Sequence, residues 1–213
     1  MPFFDLAPDK ISFPPGHFAD VDGLLAIGGD TTAEWLLKAY EGGIFQWSTP
    51  MELLHWWSPN PRIVLLAENL EYHGDLNPAN DDTLSTTFNQ DLNAIMKAIE
   101  KMNNKPPMDR KWITGSFIKA YKDLAKIADV QSCEIWKEGE LIAGVFGTVI
   151  NKVFFGEYVH GINEDVKCSV LIALVESLSK KGVVLFDLTK ETMETGDIGY
   201  TEIPRSEFFI FLK

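Results

Sequence analysis

The apolar positions of this chain recur with two different periods, and those periods predict its elements. Val166, Val170, Leu171, Leu174, Val175 and Leu178 fall at helical spacing and predict a helix over Asp165–Lys181, ended by Gly182. Val183–Leu188 is a continuous apolar run, the pattern of a strand covered on both faces. Gln131–Lys137 and Glu140–Ile150 flank Glu138-Gly139 and predict a hairpin. Asn151-Lys152 then turns into a third strand over Val153–Val159, and Glu207–Leu212 reads as a terminal strand. Upstream, Leu92, Ile95, Met96 and Ile99 predict an amphipathic helix beginning at Asp91. Phe117, Tyr121 and Leu124 share one face of a helix over Thr114–Ile127. Ile63–Ala67 reads as a buried strand, and the polar stretch Glu68–Phe88 holds an expected loop at Leu76–Thr83.

The first 62 residues have a different character. Phe13-Pro14-Pro15-Gly16 is extended, because residues before proline avoid the helical basin. Leu24-Leu25-Ala26-Ile27 runs into Gly28-Gly29-Asp30 as a strand followed by a turn. Thr31 or Thr32 caps a helix over Ala33–Glu41, which Gly42-Gly43 ends. Trp35, Trp47, Trp56 and Trp57 all lie here. Residues 1–62 thus read as a turn-rich, aromatic-rich region apart from the larger part over 63–213. Antiparallel strands, one long helix and a late buried strand give an α+β class. They suit an acetyltransferase-like (acyl-CoA N-acyltransferase) sheet, mixed and mainly antiparallel.

Charge narrows the functional classes. The chain carries 31 acidic residues against 19 Lys plus Arg, a net charge of −12, and only Arg62, Arg110 and Arg205 supply guanidinium. From Ile63 to Met96 there is no Lys or Arg. Binding of nucleic acid over the whole surface is excluded on that balance, while a local basic patch is not. Two cysteines, Cys133 and Cys168, make no disulfide framework. No secretory leader and no membrane span is expected, which makes the cytoplasm the default location. His17, His55, His73 and His160 show no metal-ligand spacing, and Gly28-Gly29-Asp30 lacks the lysine of a phosphate loop, so neither a metal nor a cofactor is expected.

Several blocks together resemble a known family. Gly23-Leu24-Leu25-Ala26-Ile27-Gly28-Gly29-Asp30, Ala39-Tyr40-x-x-Gly43-Ile44-Phe45-x-Trp47 and Trp56-Trp57-Ser58-Pro59-x-Pro61-Arg62 follow one another closely. Trp112-Ile113-Thr114, Glu134-x-Trp136-x-x-Gly139, Gly144-x-x-Gly147, Val153-Phe154-Phe155-Gly156-Glu157, Asp187 and Glu202-Ile203-Pro204-Arg205 continue the pattern. In this order they resemble the leucyl/phenylalanyl-tRNA–protein transferases over nearly the whole chain. The resemblance implies transfer of Leu or Phe from the 3′ end of an aminoacyl-tRNA to a protein N-terminus bearing Arg or Lys. It implies that the addition marks that protein for degradation.

The resemblance also assigns candidate residues, and the residue chemistry leaves an alternative beside each. Asp187, at the end of a buried strand, is the first catalytic candidate, because a carboxylate can steer the acceptor ammonium or accept its proton; it would equally cap a turn or pair with a lysine. Thr189 stands where the family places a glutamine. Glu157 suits recognition of a cationic N-terminal side chain, or a surface cross-strand pair. Trp47, Trp112 and Tyr40 are placed to border or stack on the terminal adenosine, or serve as core. Val145, Phe154 and Leu171 would line a slot for the Leu or Phe side chain, and core packing explains them equally well.

Three departures from the family pattern bear on specificity. Tyr158-Val159-His160-Gly161 replaces Ser-Met-Phe-Ser after Glu157. Thr189, shorter than glutamine, offers a single hydroxyl. Leu70–Ser85 lacks the basic residues of a phosphate-contacting segment, which leaves Arg62, Arg110 and Lys111 as the expected contacts to tRNA. An N-acyltransferase using another acyl donor, or a binding protein on the same scaffold, remains the competing reading. The absence of a [Gln/Arg]-x-x-Gly-x-[Gly/Ala] pyrophosphate loop counts against acyl-CoA as that donor.

Overall fold

A computed structural model of the chain describes residues 3–47, 53–71, 83–103, 113–190, 193 and 198–213. These residues form two compact units, each assembled from separate stretches of chain. The first takes Met1–Arg62, Asn103–Asp129 and Ile203–Lys213; the second takes Ile63–Met102 and Val130–Glu202. The linear division into 1–62 and 63–213 thus places 103–129 and 203–213 with the other part. A boundary read along the chain does not show such returns, because the packing that defines a unit is not local in sequence.

The first unit is built on a four-stranded sheet of β1 (Phe4–Leu6), β2 (Leu24–Gly28), β3 (Phe45–Gln46) and β4 (His55–Trp57), in the order β1-β2-β4-β3. Helix α1 (Ala33–Glu41) is capped by Thr32, whose hydroxyl accepts from the Trp35 amide at 3.4 Å. The aromatic residues hold this unit together. Trp35 stacks on Trp56 with ring centroids 5.8 Å apart, and Phe13 meets both rings edge-on. Each indole N–H of the Trp56-Trp57 pair finds a carbonyl: Trp56 Nε1 donates to Gly28 O at 2.9 Å and Trp57 Nε1 to Trp47 O at 2.6 Å. Both tryptophans are therefore structural.

The larger sheet has seven strands in the order β11-β5-β10-β9-β8-β7-β6. They are β5 (Arg62–Leu66), β6 (Leu84–Phe88), β7 (Asp129–Lys137), β8 (Glu140–Ile150), β9 (Val153–Gly161), β10 (Leu185–Asp187) and β11 (Thr201–Ile203). Strand β10 pairs antiparallel with β5 and parallel with β9, and β8 pairs antiparallel with β9. This is the mixed, mainly antiparallel sheet expected of an acetyltransferase-like domain. The expected hairpin joins β7 to β8, and Glu138 (φ 51°) and Gly139 (φ 84°) both take the left-handed conformation that a two-residue primed turn demands. After α2 (Leu92–Asn103) and α3 (Gly115–Leu124), helix α4 (Glu164–Ser179) covers this sheet, capped by Asn163, whose side chain accepts from the Val166 amide at 3.0 Å. Its six stripe residues are all buried, and Val170, Leu171, Leu174 and Val175 join Leu65, Val145, Phe154 and Phe186 in one core.

Two elements differ from the sequence expectation. The segment expected as a terminal strand is helix α5 (Arg205–Phe211). A short apolar run fits either period, and here Pro204 opens the turn, its carbonyl accepting from the Phe208 amide at 3.1 Å. Phe208 alone in this helix is buried, while Ile210 is 67% exposed. The second difference is β6, hidden in the polar stretch because its sequence is Leu-Ser-Thr-Thr-Phe. It is an edge strand paired with β7, and its Thr87 serves a buried acid. Glu134, fully buried, accepts from Thr87 Oγ1 at 2.7 Å and from Ser132 Oγ at 2.6 Å, while Trp136 Nε1 donates to Thr87 Oγ1 at 2.8 Å. The Glu134-x-Trp136 block is thus a hydrogen-bonded tie between two strands rather than a reacting site.

Candidate active site

Strands β9 and β10 run side by side for three residues, from Val153↔Leu185 to Phe155↔Asp187. There β10 ends, while β9 continues to Gly161. Among the described residues no strand pairs with β9 on that side beyond Phe155. The sheet therefore opens beside Asp187, which is the place where functional groups collect at strand ends.

A bulge sharpens this opening. Gly147 pairs with Gly156, but the next β8 residue, Phe146, pairs with Tyr158, so Glu157 is the extra residue on β9. Bulges re-aim a side chain and are common next to active sites. The backbones around the bulge are close-packed: a Cβ on Gly147 would lie 2.2 Å from Phe155 O, and one on Gly156 would lie 2.7 Å from Met193 Cε and 3.1 Å from Asp187 O. Gly147 is therefore required by the close approach of backbone, while Gly156 sits in tight contact with Asp187 O and the movable end of Met193.

Two pairs of polar side chains lie at this end of the sheet. Asp187 is 4% exposed, and its Oδ1 accepts from the Thr189 amide at 3.2 Å and from Thr189 Oγ1 at 2.6 Å. Thr189 Oγ1 also lies 3.2 Å from Ile63 O on the neighbouring β5. Thr189 thereby locks one carboxylate oxygen of Asp187 in place. Glu157 is fully buried, and its Oε2 accepts from Lys190 Nζ at 2.5 Å; Lys190 is itself 3% exposed. The structure thus pairs Asp187 with Thr189, and it pairs Glu157, on the neighbouring strand, with Lys190. It adds Lys190, which the sequence reading passed over. The signal was present: a buried acid needs a cation, and Lys190 lies in the turn that follows Asp187.

The remaining candidates separate. Val145, Phe154 and Leu171 are fully buried in the core shared by α4 and the sheet, so they expose no surface as a side-chain slot. Tyr40 is fully buried in the first unit, which corrects its assignment to a stacking face. Trp47, also in the first unit, is half-buried beside Trp57 at a centroid distance of 6.2 Å. Trp112 lies outside the described residues.

Other titratable groups do not compete for the chemistry. Burial, with Glu134 beside it, pushes the Cys133 thiol far up and keeps it protonated. His160, three residues beyond Glu157 on β9, has its imidazole pushed below the usual histidine value by burial, and its Nδ1 has no hydrogen-bond partner. No group of three or more His, Cys, Asp or Glu that could hold a metal ion occurs among the described residues.

Comparison with known proteins identifies the scaffold. The profile described as leucyl/phenylalanyl-tRNA protein transferase matches residues 64–213, and the profile of that protein's N-terminal domain matches residues 29–60. The chain belongs to the leucyl/phenylalanyl-tRNA protein transferase family. Curated members with that name include one from Hydrogenovibrio crunogenus, 36% identical over 99% of this chain and 83% of its own length. One from Syntrophobacter fumaroxidans is 35% identical over 100% of this chain and 90% of its own length. One from Christiangramia forsetii is 36% identical over 94% of this chain and 95% of its own length. Among solved structures, a GCN5-related N-acetyltransferase from Kribbella flavida overlays 79% of this chain and 59% of its own at 13% identity, with a TM-score of 0.41, too slight a likeness to weigh.

Against that family background, one arginine expected to hold tRNA has other work. Arg62 is fully buried, donates from Nη1 to Gly43 O at 2.8 Å and lies 4.2 Å from the centroid of Phe208 and 5.3 Å from that of Phe45. Arg205 donates from Nη1 to the Ser58 carbonyl, and burial together with the charge of Arg62 pushes its guanidinium below its ordinary value. Arg62 is a structural cation of the first unit, which corrects its expected role as a phosphate contact. Arg110 and Lys111 lie outside the described residues. No helix among the described residues is long and apolar enough to cross a membrane.

Proposed function

We propose that this transferase moves Leu or Phe from aminoacyl-tRNA to the N-terminal α-amine of an acceptor protein, in the cytoplasm, and so marks the acceptor for degradation. The observation that carries the reading is the Asp187–Thr189 turn at the open end of β10, set in a chain whose whole length belongs to this family.

The donor ester is already activated, so the acceptor nitrogen attacks its carbonyl carbon. One C–N bond forms, the C–O bond to the terminal ribose breaks, and the proton lost by nitrogen ends on the departing ribose oxygen. An α-amine has a pKa of about 7.7–8.0, so a sizeable share is neutral near pH 7 and positioning supplies much of the rate. Asp187 holds the incoming ammonium and relays its proton. Thr189 is a positioning residue: by donating to Oδ1 it fixes the plane of that carboxylate. No metal and no cofactor enters the step. With Arg62 buried and the stretch 63–96 free of Lys and Arg, contact with tRNA phosphates falls to Arg110, Lys111 and few others, which gives a shallow dependence on salt.

The test is transfer itself. Purified protein is mixed with leucyl- or phenylalanyl-tRNA and a panel of peptides differing in the first residue, with Asp187→Ala alongside. Transfer that falls by a factor of about 10² or more in Asp187→Ala supports the reading. Absence of transfer to every peptide, or full activity in Asp187→Ala, overturns it.

A further inference from the structure

We propose that Lys190 fills the cation-accepting position at Glu157 from within the chain, so that this transferase takes acceptors whose N-terminal side chain is uncharged, not those beginning with Arg or Lys. The inference rests on the transferase reading above and concerns the same site.

Glu157 is the one residue of β9 that a bulge turns out of register, and it is fully buried next to the strand end that carries Asp187. A buried carboxylate in that position is a receptor for a cation. Here the cation is already present: Lys190 Nζ sits 2.5 Å from Glu157 Oε2, in the same turn as Asp187 and Thr189. With 3% of Lys190 and none of Glu157 exposed, solvent neither screens the pair nor competes for it.

Charge balance then selects the acceptor. Glu157, Asp187 and Lys190 sum to a single negative charge, and the α-ammonium of an incoming acceptor neutralises it. A second cation, on an Arg or Lys side chain, would either leave the site with excess positive charge or displace Lys190. A displaced Lys190 would be a buried ammonium parted from Glu157, the costly outcome for a buried pair. An acidic side chain would restore an uncompensated negative charge. An uncharged side chain leaves the site balanced.

The test compares kcat/KM for leucyl transfer to otherwise identical peptides beginning with Ala, Ser, Arg, Lys, Asp or Glu. Wild type is expected to prefer the Ala and Ser peptides over the Arg and Lys peptides by tenfold or more. Lys190→Gln keeps a donor facing Glu157 but removes the charge, and it is expected to reverse that ratio. The double variant Glu157→Gln/Lys190→Gln leaves no buried charge and is expected to keep the wild-type order, which guards against a trivial loss of folding. A merely structural ion pair would change the rates of all six peptides together and leave their order intact, and that result overturns the proposal. A wild-type preference for Arg, Lys, Asp or Glu overturns it too, while leaving the transferase reading standing. No transfer to any of the six removes both.

Discussion

Replacing Lys190 by methionine should destabilise the second unit by about 3–5 kcal/mol, the usual cost of leaving a buried charge without its partner. The size follows from the surroundings. Glu157 is fully buried, Lys190 is 3% exposed, and their 2.5 Å contact places the ammonium directly on the carboxylate. Methionine keeps much of the aliphatic stem but donates nothing, so the Glu157 carboxylate loses its lysine in a low-dielectric interior. Its escape is to take up a proton. The deficit of the variant should therefore be largest above neutral pH and should narrow as the solution is acidified. The double variant Glu157→Gln/Lys190→Met removes both charges at once. Replacing both members of a buried pair is often neutral or stabilising, so the double variant should recover most of the loss. Urea unfolding at pH 8 and at pH 5 measures both effects, read as shifts of midpoint at constant slope. A Lys190→Met variant within about 0.5 kcal/mol of wild type at pH 8, or a double variant weaker than the single one, would refute the reasoning.

Three further outcomes follow from the same geometry. Thr189→Val removes the 2.6 Å hydroxyl contact to Asp187 and should lower kcat about tenfold with little change in KM, since one modest hydrogen bond is lost; a change confined to KM would count against a positioning role. His160 should titrate below the ordinary histidine value, because burial opposes its charged form. Its contribution to stability is then present above the unfolded-state value, lost as pH falls through the folded one, and absent in His160→Gln, as NMR titration and acid unfolding of the two proteins would reveal. Arg62→Lys should lower thermal stability by about 2–4 kcal/mol, since lysine cannot reproduce both the Gly43 contact and the stacking between Phe45 and Phe208; calorimetry showing no change would remove its structural role.

Legibility in the sequence varied with the physics of each element. The stripe of α4 and the β7–β8 hairpin were readable because helical period and turn chemistry are local signals. Helix α5 was misread because Phe208-Phe209-Ile210-Phe211 satisfies a strand or a helix alike, and the proline that decides the matter stands just outside the run. Strand β6 was hidden because an edge strand needs only one apolar face, and its Thr87 donates to a buried glutamate. At the site, Asp187 and Glu157 stood out as acids at the ends of apolar strands. The bulge that turns Glu157 inward and the lysine that meets it depend on register between β8 and β9, which no pattern along one strand reveals. Arg62 misled for the opposite reason: an arginine beside prolines reads as exposed, yet the chain buries it between two phenylalanines.

The most direct measurement is a single-turnover transfer of radiolabelled leucine from leucyl-tRNA to an equimolar set of peptides beginning with Ala, Ser, Arg, Lys, Asp or Glu, followed in wild type and in Asp187→Asn. The account predicts label on the peptide α-nitrogen in wild type and a loss of about 10² or more in the variant, which keeps the shape of the side chain but not its charge. Label that stays on tRNA with the wild-type protein, or that moves equally well with Asp187→Asn, would contradict it.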